Sequence, residues 1–256
     1  MVVARVCIVA TLVLTAGCLR AGEVVVAVPS SMQPYFLPIK GGGLAYDLIR
    51  AAFAARNFQV RPLYVSSRQI NKLLTGDSRA ECVPMVFPDL DHGWSTTEHV
   101  YSLHDYAITR PGIRLTGVED LRNRRVLGFS GASMLLGDEI RSVMRDNPRY
   151  REINNHRAQV RLLLQGNVEV IIVDGLLASW YLDYLRGEGE TNTQVVFHDL
   201  FEPAAYDFVC RSPDVAAEFD AGMEQVIKDG KLSEIVKRYG ITDVESITPT
   251  PLTTDH

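Results

Sequence analysis

The chain has 256 residues, 46% apolar and 22% charged, with 26 Lys and Arg against 31 Asp and Glu for a net charge of −5. These proportions belong to a globular protein and exclude a disordered, collagen-like or multi-span membrane chain. The acidic balance argues against nucleic acid as a partner, and no motif calls for a cofactor or a metal.

In chain order, Arg5 opens a short basic start, Val6 to Leu14 is apolar, and small residues lead to Cys18. The run is shorter than the ~20 residues of a membrane-spanning helix and is organised like a secretory signal. The expectation is a signal peptide over 1–21 and a periplasmic protein. Leu14-Thr15-Ala16-Gly17-Cys18 also looks like a bacterial lipobox, which would leave a lipid anchor on Cys18; cleavage after Ala21 is the alternative. Cys82 and Cys210 then remain in the mature chain. In an oxidising compartment they would pair if their geometry permits, and two separate buried thiols are the other reading.

Val24 to Val28 is a continuous β-branched run, expected as a strand buried on both faces. Pro29 to Gly43 is a loop, and Leu44 to Arg56 carries a helical apolar stripe. A strand at Gln59 to Val65, a helix at Ser67 to Leu74 and a strand at Cys82 to Phe87 follow. The rhythm restarts after Gly112 with a strand at Arg125 to Phe129 and a helical stretch to about Met144. A helix at Ala158 to Gln165, a strand at Val168 to Val173 and a helix at Leu176 to Leu185 come next. Short strands at Gln194 to Phe197 and Tyr206 to Cys210 precede two closing helices, Pro213 to Lys228 and Lys231 to Tyr239, and a disordered tail is expected from Ile247. Two βαβ series predict two α/β lobes, each a mainly parallel sheet flanked by helices. Open sheets of this kind bind ligands beyond the carboxyl ends of their strands, so a cleft between the lobes is the expected site.

Gly43-Leu44-Ala45-Tyr46-Asp47-Leu48, Glu119-Asp120-Leu121 through Ser130-Gly131-Ala132-Ser133, and Asp207-Phe208-Val209-Cys210-Arg211 carry a resemblance, as do Asp229-Gly230-Lys231 and Lys237-Arg238-Tyr239-Gly240. In order and spacing the chain resembles bacterial extracellular solute-binding protein family 3, the periplasmic polar-amino-acid-binding proteins of ABC importers. The resemblance implies a type II two-lobed binding-protein fold with the chain crossing between lobes near Tyr106 to Arg110 and Leu200 to Ala205. Lobe 1 would comprise 22–106 plus 204–256, and lobe 2 107–203. It would also put Cys82 and Cys210 in one lobe.

Ser130, Gly131, Ala132 and Ser133 end a strand at a helix start, where backbone N–H groups and hydroxyls grip a carboxylate; a helix cap is the competing role. Asp174 follows the strand Val168 to Val173, and the resemblance makes it the partner of a ligand ammonium, again with a cap as the rival. Met32, Tyr35 and Phe87 occupy family positions near the ligand, although aromatic core filling suits Tyr35 and Phe87 equally. Where the family carries an Arg that forks onto a carboxylate, this chain has His99 in Thr96-Thr97-Glu98-His99. His99 cannot supply the same fixed fork and is only partly charged near neutral pH, so either the ligand is not a standard α-amino acid or Arg68 or Arg110 substitutes. Asp89, Asp91, His92, Glu98, His99, His104 and Asp105 match no standard metal spacing and are expected as a solvated loop.

The expected function is capture of a small polar solute, an amino acid or a related compound, by a monomer that delivers it to an ABC permease. A ligand-binding sensor or accessory protein without its own transporter is the alternative. An enzyme resembling cyclohexadienyl dehydratase, with Glu98 or Asp174 as general acid, is the third.

Overall fold

The computed structural model describes residues 22–30, 32–76, 79–86, 93–97 and 101–241. The expected signal peptide with Cys18, the tail from Ile247, and Phe87, Glu98 and His99 lie outside these residues.

The apolar run at Val24 forms the centre of β1 (Gly22–Pro29), whose last six residues are buried. No polar side chain interrupts those six, so the strand lies inside its sheet with parallel neighbours on both sides. After β1 come α1 (Leu44–Ala55), β2 (Phe58–Val65), α2 (Ser67–Thr75), β3 (Cys82–Val86), β4 (Ser95–Thr96) and β5 (Tyr101–Leu103). The chain then builds a second unit from β6 (Asp105–Thr109), β7 (Val126–Phe129), α3 (Ala132–Leu135), α4 (Asp138–Arg145), β8 (Tyr150–Ile153), α5 (His156–Leu164), β9 (Val170–Asp174), α6 (Gly175–Gly187) and β10 (Val196–His198). It returns through β11 (Ala204–Cys210) and closes with α7 (Pro213–Lys228) and α8 (Lys231–Arg238).

There are two sheets, one ordered β2-β1-β3-β11-β4 with β5 also on β11, the other β10-β6-β9-β7-β8. Each contains two parallel pairs, with antiparallel strands where the chain arrives from or leaves for the other sheet: β11 in the first, β6 and β10 in the second. Residue His104 alone separates β5 of the first sheet from β6 of the second. The changeover therefore falls just before Tyr106, because Tyr106 to Thr109 is already strand, with Ala107 and Ile108 fully buried. The return lies between β10 and β11, within residues 199–203.

Four short strands in the middle of the chain, β4, β5, β6 and β8, have no counterpart in the periodicity of the sequence. The loop expected through His104 and Asp105 is corrected by them: Asp105 is not solvated but 2% exposed on β6. The helical stretch expected after Ser130 is split into α3 and α4 by Gly137 at φ 95°.

Cys82 and Cys210 are direct register partners on β3 and β11, and they form a disulfide. A core cluster including Val26, Phe53 and Phe208 of the first unit continues into Ile108, Val173 and Leu177 of the second. No helix among the described residues is long and apolar enough to cross a membrane.

Candidate functional site

Asp174 is the last residue of β9, at the carboxyl end of a strand whose five residues are all buried. It also caps α6, with Oδ1 accepting the Leu177 N–H at 2.8 Å. The Tyr35 hydroxyl donates to the same oxygen at 3.0 Å. Tyr35 belongs to the loop after β1, so this bond ties the first unit to the second. A second tie runs from the Tyr181 hydroxyl on α6 to Gln33 Oε1 in the same loop. The helix-cap role weighed for Asp174 is thus present, and it leaves the carboxylate facing the junction of the two units.

Asp105 stands directly opposite Asp174 in the antiparallel pairing of β6 and β9, so both carboxylates leave the same face of the sheet. Burial pushes the Asp174 carboxyl up to about 6, although the Leu177 N–H and the Tyr35 hydroxyl favour its ionised form. Asp105 is raised well above the usual carboxylate range, first by burial and then by the Asp174 charge. Its Oδ2 is buried without a hydrogen-bond partner among the described residues. Burial, then the nearby carboxylates, raise the hydroxyls of Tyr35 and Tyr206 as well.

Around Asp174 lies a cleft of about 440 Å³, walled chiefly by Tyr35, His104, Tyr106, Leu176, Phe197 and Ile241. The Tyr106 ring meets Phe197 edge-on at 5.6 Å and lies 4.4 Å from the imidazole of His104. That imidazole is held from both nitrogens. The Tyr106 hydroxyl lies 3.1 Å from Nδ1, and Nε2 lies 2.9 Å from Asp199 Oδ1 and 3.1 Å from the Phe201 carbonyl. Two acceptors at Nε2 assign the proton there, leaving Nδ1 to accept from Tyr106. Among the described residues lining this cleft there is no Lys or Arg.

The Ser130 to Ser133 turn follows β7, the parallel neighbour of β9, with Gly128 paired to Ile172. It therefore reaches the same edge of the sheet as Asp174. Three of its donors are engaged by the chain itself: Glu152 on β8 accepts from Gly131 N at 2.8 Å, Ser133 N at 3.0 Å and Ser133 Oγ at 2.7 Å. The Tyr150 hydroxyl adds a fourth bond at 2.6 Å. Burial alone would raise the Glu152 carboxyl, but these four donors hold it below its ordinary value. Ala132 is buried, and the Ser130 side chain is exposed.

Met32 packs half-buried against the core and is not among the cleft-lining residues. Arg110 lies just beyond the end of β6 remote from Asp174, beside the turn at Gly166. The strand length between them removes it from the role of carboxylate partner. The side chain of Arg68 lies outside what is described. Glu152 could not have been selected from the sequence, because β8 carries no alternation that marks it as a strand. Asp105 was visible only as one acid in a polar segment; its burial is a property of the pairing with β9.

No known protein-family model matches the chain, and no curated protein matches it. Solved structures do match. A histidine kinase sensor domain with similarity to periplasmic binding proteins superposes with a TM-score of 0.70 at 19% identity, over 86% of this chain and 96% of that one. The arginine-, lysine-, histidine-binding protein ArtJ of Geobacillus stearothermophilus gives 0.69 at 16% identity, over 85% and 94%. An ancestral amino-acid-binding protein, a precursor of cyclohexadienyl dehydratase, gives 0.67 at 16% identity, over 85% and 95%. The shared element is the fold, two α/β lobes about a cleft.

Proposed function

We propose that this chain, which has the two-lobed periplasmic binding protein fold, captures a small polar solute with a cationic group between its lobes and delivers it to an ABC-type importer. The observation that carries this reading is Asp174: a carboxylate buried at the junction of the two lobes and bound by Tyr35 across it. Charge pairing is strong where water is excluded, and an ammonium would take the place that the Tyr35 hydroxyl now holds. The lobes would hinge at His104 and between His198 and Ala204, the two places where the chain passes from one sheet to the other. The disulfide supports an oxidising, extracytoplasmic location.

The test is calorimetric titration of the purified protein with amines and amino acids, repeated on Asp174→Asn. The reading expects saturable binding that the substitution abolishes, with the solute recovered chemically unchanged. No binding by any cation, undiminished binding by Asp174→Asn, or conversion of the solute would overturn it. Loss of uptake of the bound solute in cells lacking the gene checks the transport step.

A further inference from the structure

An amino acid presents two charges, and a site that holds one needs an acid for the ammonium and donors for the carboxylate. The acid half is present in excess. Asp105 and Asp174 are both buried and directly opposed, and Asp105 Oδ2 lacks a partner among the described residues. Two carboxylates so placed repel one another unless a proton or a cation lies between them. Aromatic rings stand beside them, from Tyr35, Tyr106 and Phe197, and ring faces attract organic cations.

The anion half is closed. The turn that would hold a carboxylate is filled by the carboxylate of Glu152, bound through both oxygens to Gly131, Ser133 and Tyr150. A solute carboxylate would have to displace it and then lie beside the displaced negative charge. Among the described residues no cation stands ready: Arg110 is at the far end of its strand, and the described cleft-lining residues include no Lys or Arg.

We infer that the solute is an organic cation without a carboxylate, a primary amine, amidine or guanidine, and that Glu152 is the built-in carboxylate that excludes amino acids. This rests on the binding-protein reading above. The cation settles against Asp174, with Asp105 adding its charge from the opposed position on β6, and its carbon chain lies along the aromatic wall. Glu152 acts on selection without touching the cation.

Matched pairs test it: agmatine against arginine, cadaverine against lysine, histamine against histidine and tyramine against tyrosine, each titrated calorimetrically into the full protein. The decarboxylated member of at least one pair should bind on the order of tenfold or more tighter than its amino acid. Glu152→Ala should empty the turn and shrink that preference, with acetate restoring it by refilling the seat. Should Glu152→Ala fail to fold, Glu152→Gln takes its place: it keeps the side-chain length, removes the charge and replaces one of the two accepting oxygens with an amide NH2 that cannot accept from the turn, so it should also narrow the preference. Amino acids binding as well as their amines would overturn the inference while leaving solute capture intact. A preference unchanged in a folded Glu152 variant would overturn the role of Glu152. Failure of every cation to bind would overturn the solute-capture reading itself.

Discussion

Asp174 joins a strand end, a helix cap and a hydroxyl from the opposite lobe in one side chain. Because it titrates near 6 in the folded protein and near 4 in an unfolded chain, the folded state keeps a proton that the unfolded state has lost in between. Its contribution is fully present below about pH 4 and is lost as the pH rises through 6, a change of ~3 kcal/mol. Asp105 is shifted in the same direction. Relative to Asp174→Asn, the ligand-free protein should therefore gain more melting temperature on going from pH 7 to pH 5 in a scanning calorimeter, His156 and His198, which burial lowers, pulling the other way in both. Tyr35→Phe removes a donor that favours the ionised Asp174, so the carboxyl should titrate still higher, readable by carbon-detected NMR. Solute binding should strengthen from pH 5 to pH 7, since the cation competes with the proton held by this pair. Asp174 was legible from its place after an apolar strand. Its partner Asp105 was not, because an acid in a polar stretch reads as solvated until a neighbouring strand covers it.

The loop that carries Tyr35 is shaped by its end. Gly43 has φ 125°, and a Cβ there would collide with the Tyr35 carbonyl and lie 2.6 Å from the Phe36 Cα. Gly43→Ala should cost roughly 1–3 kcal/mol of stability and weaken solute binding together with it, because the backbone under Tyr35 must move. On the second sheet, the buried Gln159 of α5 donates to the carbonyls of Leu127 at 2.7 Å and Ile172 at 2.9 Å, on adjacent strands. Gln159→Leu removes both of these buried hydrogen bonds, for a loss of about 1–3 kcal/mol in denaturant unfolding. Elements with long apolar runs, β1 and β9, were readable from sequence alone. The four residues of β8 were not, since Tyr-Arg-Glu-Ile has no period long enough to register, and Glu152 was hidden with them.

Across the molecule, the disulfide joins strands that the whole second lobe separates in sequence, 128 residues apart. Closing so long a loop restricts the unfolded chain, for about 2–5 kcal/mol. Reduction, or the double replacement of Cys82 and Cys210 by Ala, should lower the melting temperature while solute binding persists, since neither cysteine lines the cleft. The shared core and the bonds of Tyr35 and Tyr181 hold the lobes together in this structure.

The sequence by itself determined the two α/β units, their helices and the strands whose burial on both faces demands an unbroken apolar run. It also marked the Ser130 turn, a strand end followed by small residues, and, through the family resemblance, Asp174. Only the tertiary structure decided that Asp105 faces Asp174, that Glu152 fills the turn and that Arg110 points elsewhere. Those facts depend on which strands lie side by side, and strand pairing is a contact between distant segments that no local period encodes.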